Sequence, residues 1–246
     1  MDSELKNPIL ELRSIDKKYD GKSIVHDLSL SVYPGEVVGL LGCNGAGKTT
    51  VFHITMGLIP PESGQVLFAG EDITKLDIHL RAKMGMGYLA QEPSVFRNLT
   101  VKENLLCILE TLPLSYQEQQ KRIRELLDEL RLSPLSNKKA KNLSGGERRR
   151  LEITRALITN PKLLLLDEPF ANIDPITISD VKQLIELLKN RGISILITDH
   201  NARELVTIVD RSYLLQNGKV LVSGSVQELL DSELAKQNYF GKDFTL

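Results

Sequence analysis

Cysteine is scarce: Cys43 and Cys107 are the only two in 246 residues. So few thiols suggest neither a disulfide framework nor a thiolate metal site, and the count fits a reducing compartment. An excess of either charge is also missing, because 31 Lys and Arg face 32 Asp and Glu, for a net charge of -1 and an isoelectric point near 6.5. Such a chain has no general electrostatic reason to seek a nucleic-acid backbone, so nucleic acid is not expected as a partner. No apolar run approaches the roughly 18–20 residues needed to cross a bilayer, and direct membrane insertion is not expected either. The opening Met1-Asp2-Ser3-Glu4 is acidic and lacks the basic-then-apolar profile of a signal peptide. Tandem repeats and low-complexity linkers are absent as well. What remains is a chain with 41% hydrophobic residues, long enough to bury a full core as one α/β unit and expected in the cytoplasm.

Its strongest apolar segments are short and continuous. Val37-Val38-Gly39-Leu40-Leu41, residues 163–166 and residues 193–198 show no alternation, the pattern of strands buried on both faces of a parallel sheet. Helices are therefore expected on both faces. Residues 117–132 read as one helix, with Ile123, Leu126, Leu127 and Leu130 forming a single core-facing stripe. A second helix is signalled by Asp174 as N-cap and Pro175 at the first helical position. Val181, Leu184, Ile185 and Leu188 make its apolar face, and Gly192 stops it. Residues 91–160 carry a mostly helical pattern without a strongly apolar strand, which places an inserted helical subdomain there.

Gly42-Cys43-Asn44-Gly45-Ala46-Gly47-Lys48-Thr49 directly follows the first of these apolar segments and has the spacing of a phosphate-binding loop. Glycines let backbone N–H groups curl around phosphate oxygens at a helix N-terminus, where the helix dipole favours negative charge. Gly42, Asn44, Gly45, Ala46 and Gly47, with Thr50 behind them, are the candidate nucleotide contacts. Lys48 is placed to neutralise the β- and γ-phosphates and the Thr49 hydroxyl to bind Mg²⁺; a helix is expected over 49–56. Residues 163–166 lead into Asp167-Glu168, two carboxylates at the carboxyl end of a buried strand, where open α/β sheets bind ligands. Asp167 is thus a candidate Mg²⁺ ligand, and Glu168 the candidate for orienting and polarising an attacking water. Alone, Asp167-Glu168-Pro169 reads as a solvated turn; the phosphate loop reverses that preference. ATP and Mg²⁺ are the implied cofactors.

Leu143-Ser144-Gly145-Gly146-Glu147 precedes a helical run over 148–160. Ser144 and Glu147 form a capping box, which does not account for both glycines, since each weakens a first turn by about 1 kcal/mol relative to alanine. Paired glycines make sense where another molecule must approach the backbone closely, so Ser144, Gly145 and Gly146 are read as a second anion site. The charge run Arg148-Arg149-Arg150 reads as a solvated helix face without a catalytic role.

In this order, the phosphate loop, residues 143–147 and residues 163–168 resemble the ATP-binding subunits of ABC transporters, and the resemblance runs from about residue 9 to about residue 230. It implies a P-loop NTPase fold of the ABC cassette type, α/β in class, with a mainly parallel sheet core, an N-terminal antiparallel β part and the inserted helical subdomain. The whole would be one domain over 8–246, its core about 8–91 and 160–246 and its helical part about 92–159. The resemblance implies ATP hydrolysis coupled to transport by a homodimer. Two cassettes stack head to tail in that family, so that Ser144-Gly145-Gly146 of one copy contact ATP held by the other's loop. It assigns Tyr19 to stacking on adenine, Gln91 to sensing Mg²⁺ or water, Asp174 to the nucleotide site and His200 to a hydrogen bond with the γ-phosphate. By position alone, Tyr19 also reads as a half-exposed strand tyrosine, and Gln91 and His200 as polar strand ends. Cys43 stands where related loops often carry proline. No N–H is required there, so cysteine should leave nucleotide binding intact while adding a thiol-sensitive position.

Within the family, residues 143–152, Ile197-Thr198-Asp199-His200-Asn201, residues 88–98 and the ending 240–246 are similar to the lipopolysaccharide-export branch. Branched-chain amino-acid import is the nearest alternative. The first implies a peripheral place on the cytoplasmic face of the inner membrane. Its partners would be integral membrane transporter subunits whose short helices enter a groove near Gln91, lined by Phe96 and Arg97; a buried Phe96 within the helical subdomain is the competing reading. A chromosome-handling relative would interrupt the cassette with long coiled-coil heptads, and a translation-associated one would carry two cassettes. A non-enzymatic ATP-binding scaffold is disfavoured by the presence of Lys48, Asp167, Glu168 and His200.

Overall fold

The continuous apolar runs become neighbouring strands of one sheet. A computed structural model describes residues 7–92, 94–171 and 173–241. The acidic opening 1–4, Asn172 and the last five residues of the 240–246 stretch lie outside the described residues. The strands are β1 (Leu10–Tyr19), β2 (Lys22–Val32), β3 (Val37–Gly42), β4 (Ser63–Phe68), β5 (Glu71–Asp72), β6 (Met86–Leu89), β7 (Leu163–Asp167), β8 (Ser194–Thr198), β9 (Arg211–Gln216) and β10 (Lys219–Ser225). Six of them form a sheet in the order β10-β9-β3-β8-β7-β6, parallel except where β10 runs antiparallel to β9. The remaining four form an antiparallel sheet, β2-β1-β4-β5.

The lack of alternation in the parallel strands has a direct cause: successive side chains enter two different cores. Val38, Leu40, Leu163, Leu165 and Leu196 face a core completed by Leu12, Leu28 and Val66 of the antiparallel sheet. Val37, Leu41, Leu164, Leu166, Ile195 and Ile197 face the other, which is completed by helices. A strand with a core on each side has no solvent face on which to place polar residues. Helices were expected on both faces. One face meets that expectation; the other is covered mainly by the antiparallel sheet, joined by Val51, Phe52 and their neighbours of helix α1 (Lys48–Met56) and by Met84 at the end of the next helix.

Helix α2 (Ile78–Met84) lies before β6. Its buried Arg81 donates to the carbonyls of Ile54 and Thr55 (both 2.8 Å), Leu76 (2.9 Å) and Thr74 (3.0 Å), the first two of which lie at the C-terminal end of α1, where the helix dipole favours a cation. Between β6 and β7 the described regular elements are helical: α3 (Val101–Leu109), α4 (Tyr116–Glu129), two short 3-10 turns and α5 (Gly145–Leu157). The helix expected over 117–132 starts one residue earlier, after a Ser115/Glu118 capping box, and ends at Glu129. Leu130 closes it as a buried C-cap residue, so the four-residue stripe is buried as expected. The helix expected over 148–160 begins at Gly145, because Ser144 is its cap, and ends at Leu157. Helix α6 (Pro175–Asn190) has the expected Asp174 cap and apolar face. Helix α7 (Ala202–Val206) follows β8.

Candidate nucleotide-binding and catalytic site

The carboxyl ends of β3, β6, β7 and β8 bring the candidate residues to one edge of the parallel sheet. At β3, Gly42 and Gly47 hold φ of 151° and 104°, and Gly47 is the N-cap of α1. A Cβ on Gly47 would meet the Ile24 carbonyl at 2.9 Å, so both its conformation and its surroundings require glycine. Lys48 is 6% exposed and its ammonium donates to Gly42 O at 2.7 Å and Cys43 O at 3.1 Å. An ammonium has three donors, so one remains for a phosphate oxygen. Burial lowers the Lys48 pKa, opposed by the negative charges of Glu168 and Asp167. Asn44, Gly45 and Thr49 are exposed, Thr50 is half-buried and Ala46 is buried.

Asp167 and Glu168, at the end of β7, are 1% and 7% exposed; neither is the solvated turn residue that a short motif suggests in isolation. Asp167 Oδ2 accepts a hydrogen bond from the Tyr88 phenol at 3.3 Å. Burial, and then the neighbouring Glu168 charge, push the Asp167 carboxyl above the ordinary carboxylate range. Glu168 holds φ of 49°, a costly left-handed conformation of the sort found at functional sites. Its N–H donates to Thr198 O at 2.8 Å, tying β7 to the end of β8.

Gln91 and His200 converge on that glutamate. Gln91 Nε2 donates to Glu168 Oε2 at 2.6 Å, and His200 Nε2 lies 2.5 Å from Oε1. Both carboxylate oxygens are therefore held by side chains that follow other strands. Asp199 supports the arrangement from below: buried, it accepts from the N–H groups of Phe170 (2.8 Å) and Asn201 (2.9 Å), joining the turns on either side of Glu168 and His200.

Other candidate residues stand apart from this cluster. Ser144 forms the capping box with Glu147, and no hydrogen bond among the described residues joins it to the loop from Gly42 to Lys48. Its two glycines differ. A Cβ on Gly146 would meet Thr177 Oγ1 at 2.8 Å and Cγ2 at 2.9 Å, whereas one on Gly145 would find only Ile173 at 3.8 Å. Close approach by another molecule is thus not needed to explain Gly146, which is small because α5 packs on α6; Gly145 stays open. Asp174 is occupied as a cap, accepting from Ile176 N, Thr177 N and the Thr177 hydroxyl. Tyr19 ends β1 with 45% of its surface exposed and Lys17 Nζ 5.5 Å from its ring centroid. Phe96 is 49% exposed, not a buried subdomain residue, and the Arg155 guanidinium lies 4.9 Å over its ring; Arg97 beside it is exposed.

The reading of Arg148-Arg149-Arg150 as a solvated face needs correction. Arg149 is buried, pairs with Glu152 at 2.9 Å and reaches the carbonyls of Ala90 and Asp167, each at 3.5 Å. It thereby links α5 to the backbone just ahead of both Gln91 and Glu168. Only the Arg149/Glu152 spacing, one helical turn apart, hinted at a paired rather than a free charge. Tyr88 and Asp199 carried no such hint.

The donor set suits Mg²⁺ held with a nucleotide. Asp167 Oδ1 is buried without a hydrogen-bond partner, a costly condition unless a ligand relieves it. No group of three or more His, Cys, Asp or Glu that could hold a metal occurs among the described residues. Mg²⁺ at such sites characteristically takes one or two carboxylates, with phosphates and water supplying the rest.

Residues 25–171 match the family model described as ABC transporter. The chain is 51% identical over 238 residues to the lipopolysaccharide export system ATP-binding protein LptB of Acidithiobacillus ferridurans, covering 97% of this chain and 99% of that one. It is 45% identical to the protein of the same name from Escherichia coli K12, covering 96% and 99%. Among solved structures it is similar to an ATP-binding cassette of an ABC transporter in its ADP conformation, with a TM-score of 0.86, 30% identity and coverage of 96% and 100%. A dimeric ATP-binding cassette in a post-hydrolysis state with ADP and Pi gives a TM-score of 0.78 at 27% identity, covering 88% and 98%.

Proposed function

The chain belongs to the ABC transporter family as an ATP-hydrolysing subunit, and on that premise we propose that two copies bind MgATP between them and power lipopolysaccharide export. Subunits of this family work as dimers with membrane transporter components. Support for the cargo comes from relatives at 45–51% identity that carry the export system's name over nearly their full length. Branched-chain amino-acid import is the alternative, and no observation on this chain favours it. In this reading the protein sits at the cytoplasmic face of the inner membrane and receives helices of the membrane subunits beside Gln91, Phe96 and Arg97. The division into a core of about 8–91 and 160–246 and a helical part of about 92–159 belongs to the same reading.

The loop, Lys48, Thr49, Asp167 and Glu168 take their roles from the chemistry of their positions, and Tyr19, Gln91, Asp174 and His200 take theirs from the family resemblance. The loop from Gly42 to Gly47, with Thr50, cradles phosphates through its N–H groups, and Lys48 adds a positive charge. Thr49, Asp167 and Gln91 would hold Mg²⁺, which would supply neutralisation of phosphate charge. Tyr19 stacks on adenine. Glu168 orients a water in line with the γ-phosphorus, so that the new P–O bond forms as the bond to the β-phosphate oxygen breaks. His200 donates to the γ-phosphate, while Ser144 and Gly145, with Gly146 behind them and Asp174 nearby, complete the site of the opposing copy. No covalent intermediate is needed, because positioning and charge neutralisation supply the rate.

The observation that carries the enzymatic assignment is the convergence of Gln91 and His200 on a buried Glu168. Glu168→Gln tests it: the variant is expected to bind ATP, to lose steady-state phosphate release by about 100-fold or more, and to accumulate dimers with ATP. Undiminished release would remove Glu168 from the mechanism. Identification of the multipass proteins that co-purify from membranes tests the cargo.

A further inference from the structure

The two oxygens of Asp167 have unequal surroundings. Oδ2 is taken by the Tyr88 phenol at 3.3 Å, and Oδ1 is buried with no partner. Tyr88 stands on β6, directly across from Leu165 of β7, two residues before Asp167. Its half-buried ring packs against the core beneath the antiparallel sheet, so the hydroxyl is delivered from a fixed ring. No other hydrogen bond to this carboxylate occurs among the described residues.

We propose that Tyr88 is a positioning residue for the metal site: by occupying Oδ2 it fixes the rotation of the Asp167 carboxylate and reserves Oδ1 as the single Mg²⁺ ligand atom. The inference rests on the reading of Asp167 as a metal ligand. A carboxylate without such a partner can turn about its Cβ–Cγ bond and offer either oxygen or both, which weakens its preference for the octahedral geometry that Mg²⁺ demands. Partners that orient a ligand in this way typically contribute 10- to 100-fold to metal affinity. Phenylalanine would fill the same space without the donor, so the apolar requirements of β6 do not account for the hydroxyl.

The test is Tyr88→Phe, read by binding of Mn²⁺ with the non-hydrolysable analogue AMP-PNP through the electron paramagnetic resonance of the metal, and by the Mg²⁺ concentration that half-activates the ATPase. Both midpoints are expected to rise about tenfold, while ATP binding in EDTA stays at the wild-type level. In an Asp167→Asn background, Tyr88→Phe is expected to add nothing. Unchanged metal midpoints, or an equal loss of metal-free ATP binding, would overturn the role of Tyr88 alone. If Asp167→Asn leaves the metal midpoints where they were, Asp167 is not a ligand, and both the inference and the metal reading beneath it fail.

Discussion

Gln91 Nε2 lies 2.6 Å from Glu168 Oε2, and this contact bridges the ends of β6 and β7 across the mouth of the parallel sheet. With His200 on the opposite oxygen, the glutamate is gripped from both flanking strands. Gln91→Ala and His200→Ala are each expected to lower kcat, by about 100-fold if reacting groups are misplaced by an ångström. The part of each loss that runs through Glu168 should disappear in a Glu168→Gln background, leaving only what the Mg²⁺ contact of Gln91 and the γ-phosphate contact of His200 contribute. Steady-state phosphate release by the single and double variants checks this.

The glycines at the start of α5 separate folding from function. Gly146→Ala drives a methyl into Thr177, whose hydroxyl is engaged by Asp174, and is expected to cost about 1–3 kcal/mol of stability through overpacking. Gly145→Ala meets nothing closer than 3.8 Å and should hold or slightly raise the melting temperature. Its cost should appear only as weaker ATP-dependent dimerisation. Calorimetry and ATP-dependent sedimentation, run on both variants, distinguish the two effects.

Asp167 is expected to weaken the metal-free fold at neutral pH. Burial raises its carboxyl pKa above the unfolded value, so its contribution favours the folded state at low pH and is lost as pH rises through the folded pKa. Asp167→Asn should therefore melt higher than wild type in EDTA at pH 7, with a gap that narrows on acidification below the ordinary carboxylate range. Thermal melts across that range decide the sign.

Phe96 presents half of its surface with a cation over its ring. Phe96→Ala is expected to leave the ATPase activity of the isolated subunit within about twofold, since truncation of an exposed side chain that makes no hydrogen bond usually changes little. Affinity for detergent-solubilised membrane subunits should fall by about tenfold or more, as for a central apolar contact. Pull-down titration measures it, and unchanged affinity would assign Phe96 elsewhere.

Cys43 is an exposed free thiol on the glycine-rich loop between β3 and α1. N-ethylmaleimide should slow ATP turnover of the wild type, and Cys43→Ala should turn over normally and resist the reagent. Inhibition that persists in Cys43→Ala would point to Cys107, the other exposed thiol.

Much of this protein was legible in its residues alone. Apolar runs without alternation announce strands with a core on each side, the glycine spacing before Lys48 announces a tight loop at positive φ that opens a helix, and Ser144 with Glu147 or Asp174 with Pro175 announces a helix start. These signals work because a strand's burial, a tight turn and a cap each depend on residues a few positions apart. The same locality explains the errors. The run at Arg148–Arg150 reads as solvent-facing until packing buries Arg149 under two strand ends, and Gly146 reads as open to a partner until Thr177 is found against it. Only tertiary structure decided that Gln91, Glu168 and His200 meet, that Tyr88 holds one oxygen of Asp167, and that the second sheet face is covered by strands. Those relationships join segments tens of residues apart, and their distances are set by how the sheet stacks on its two cores, a property that no short stretch of the chain contains.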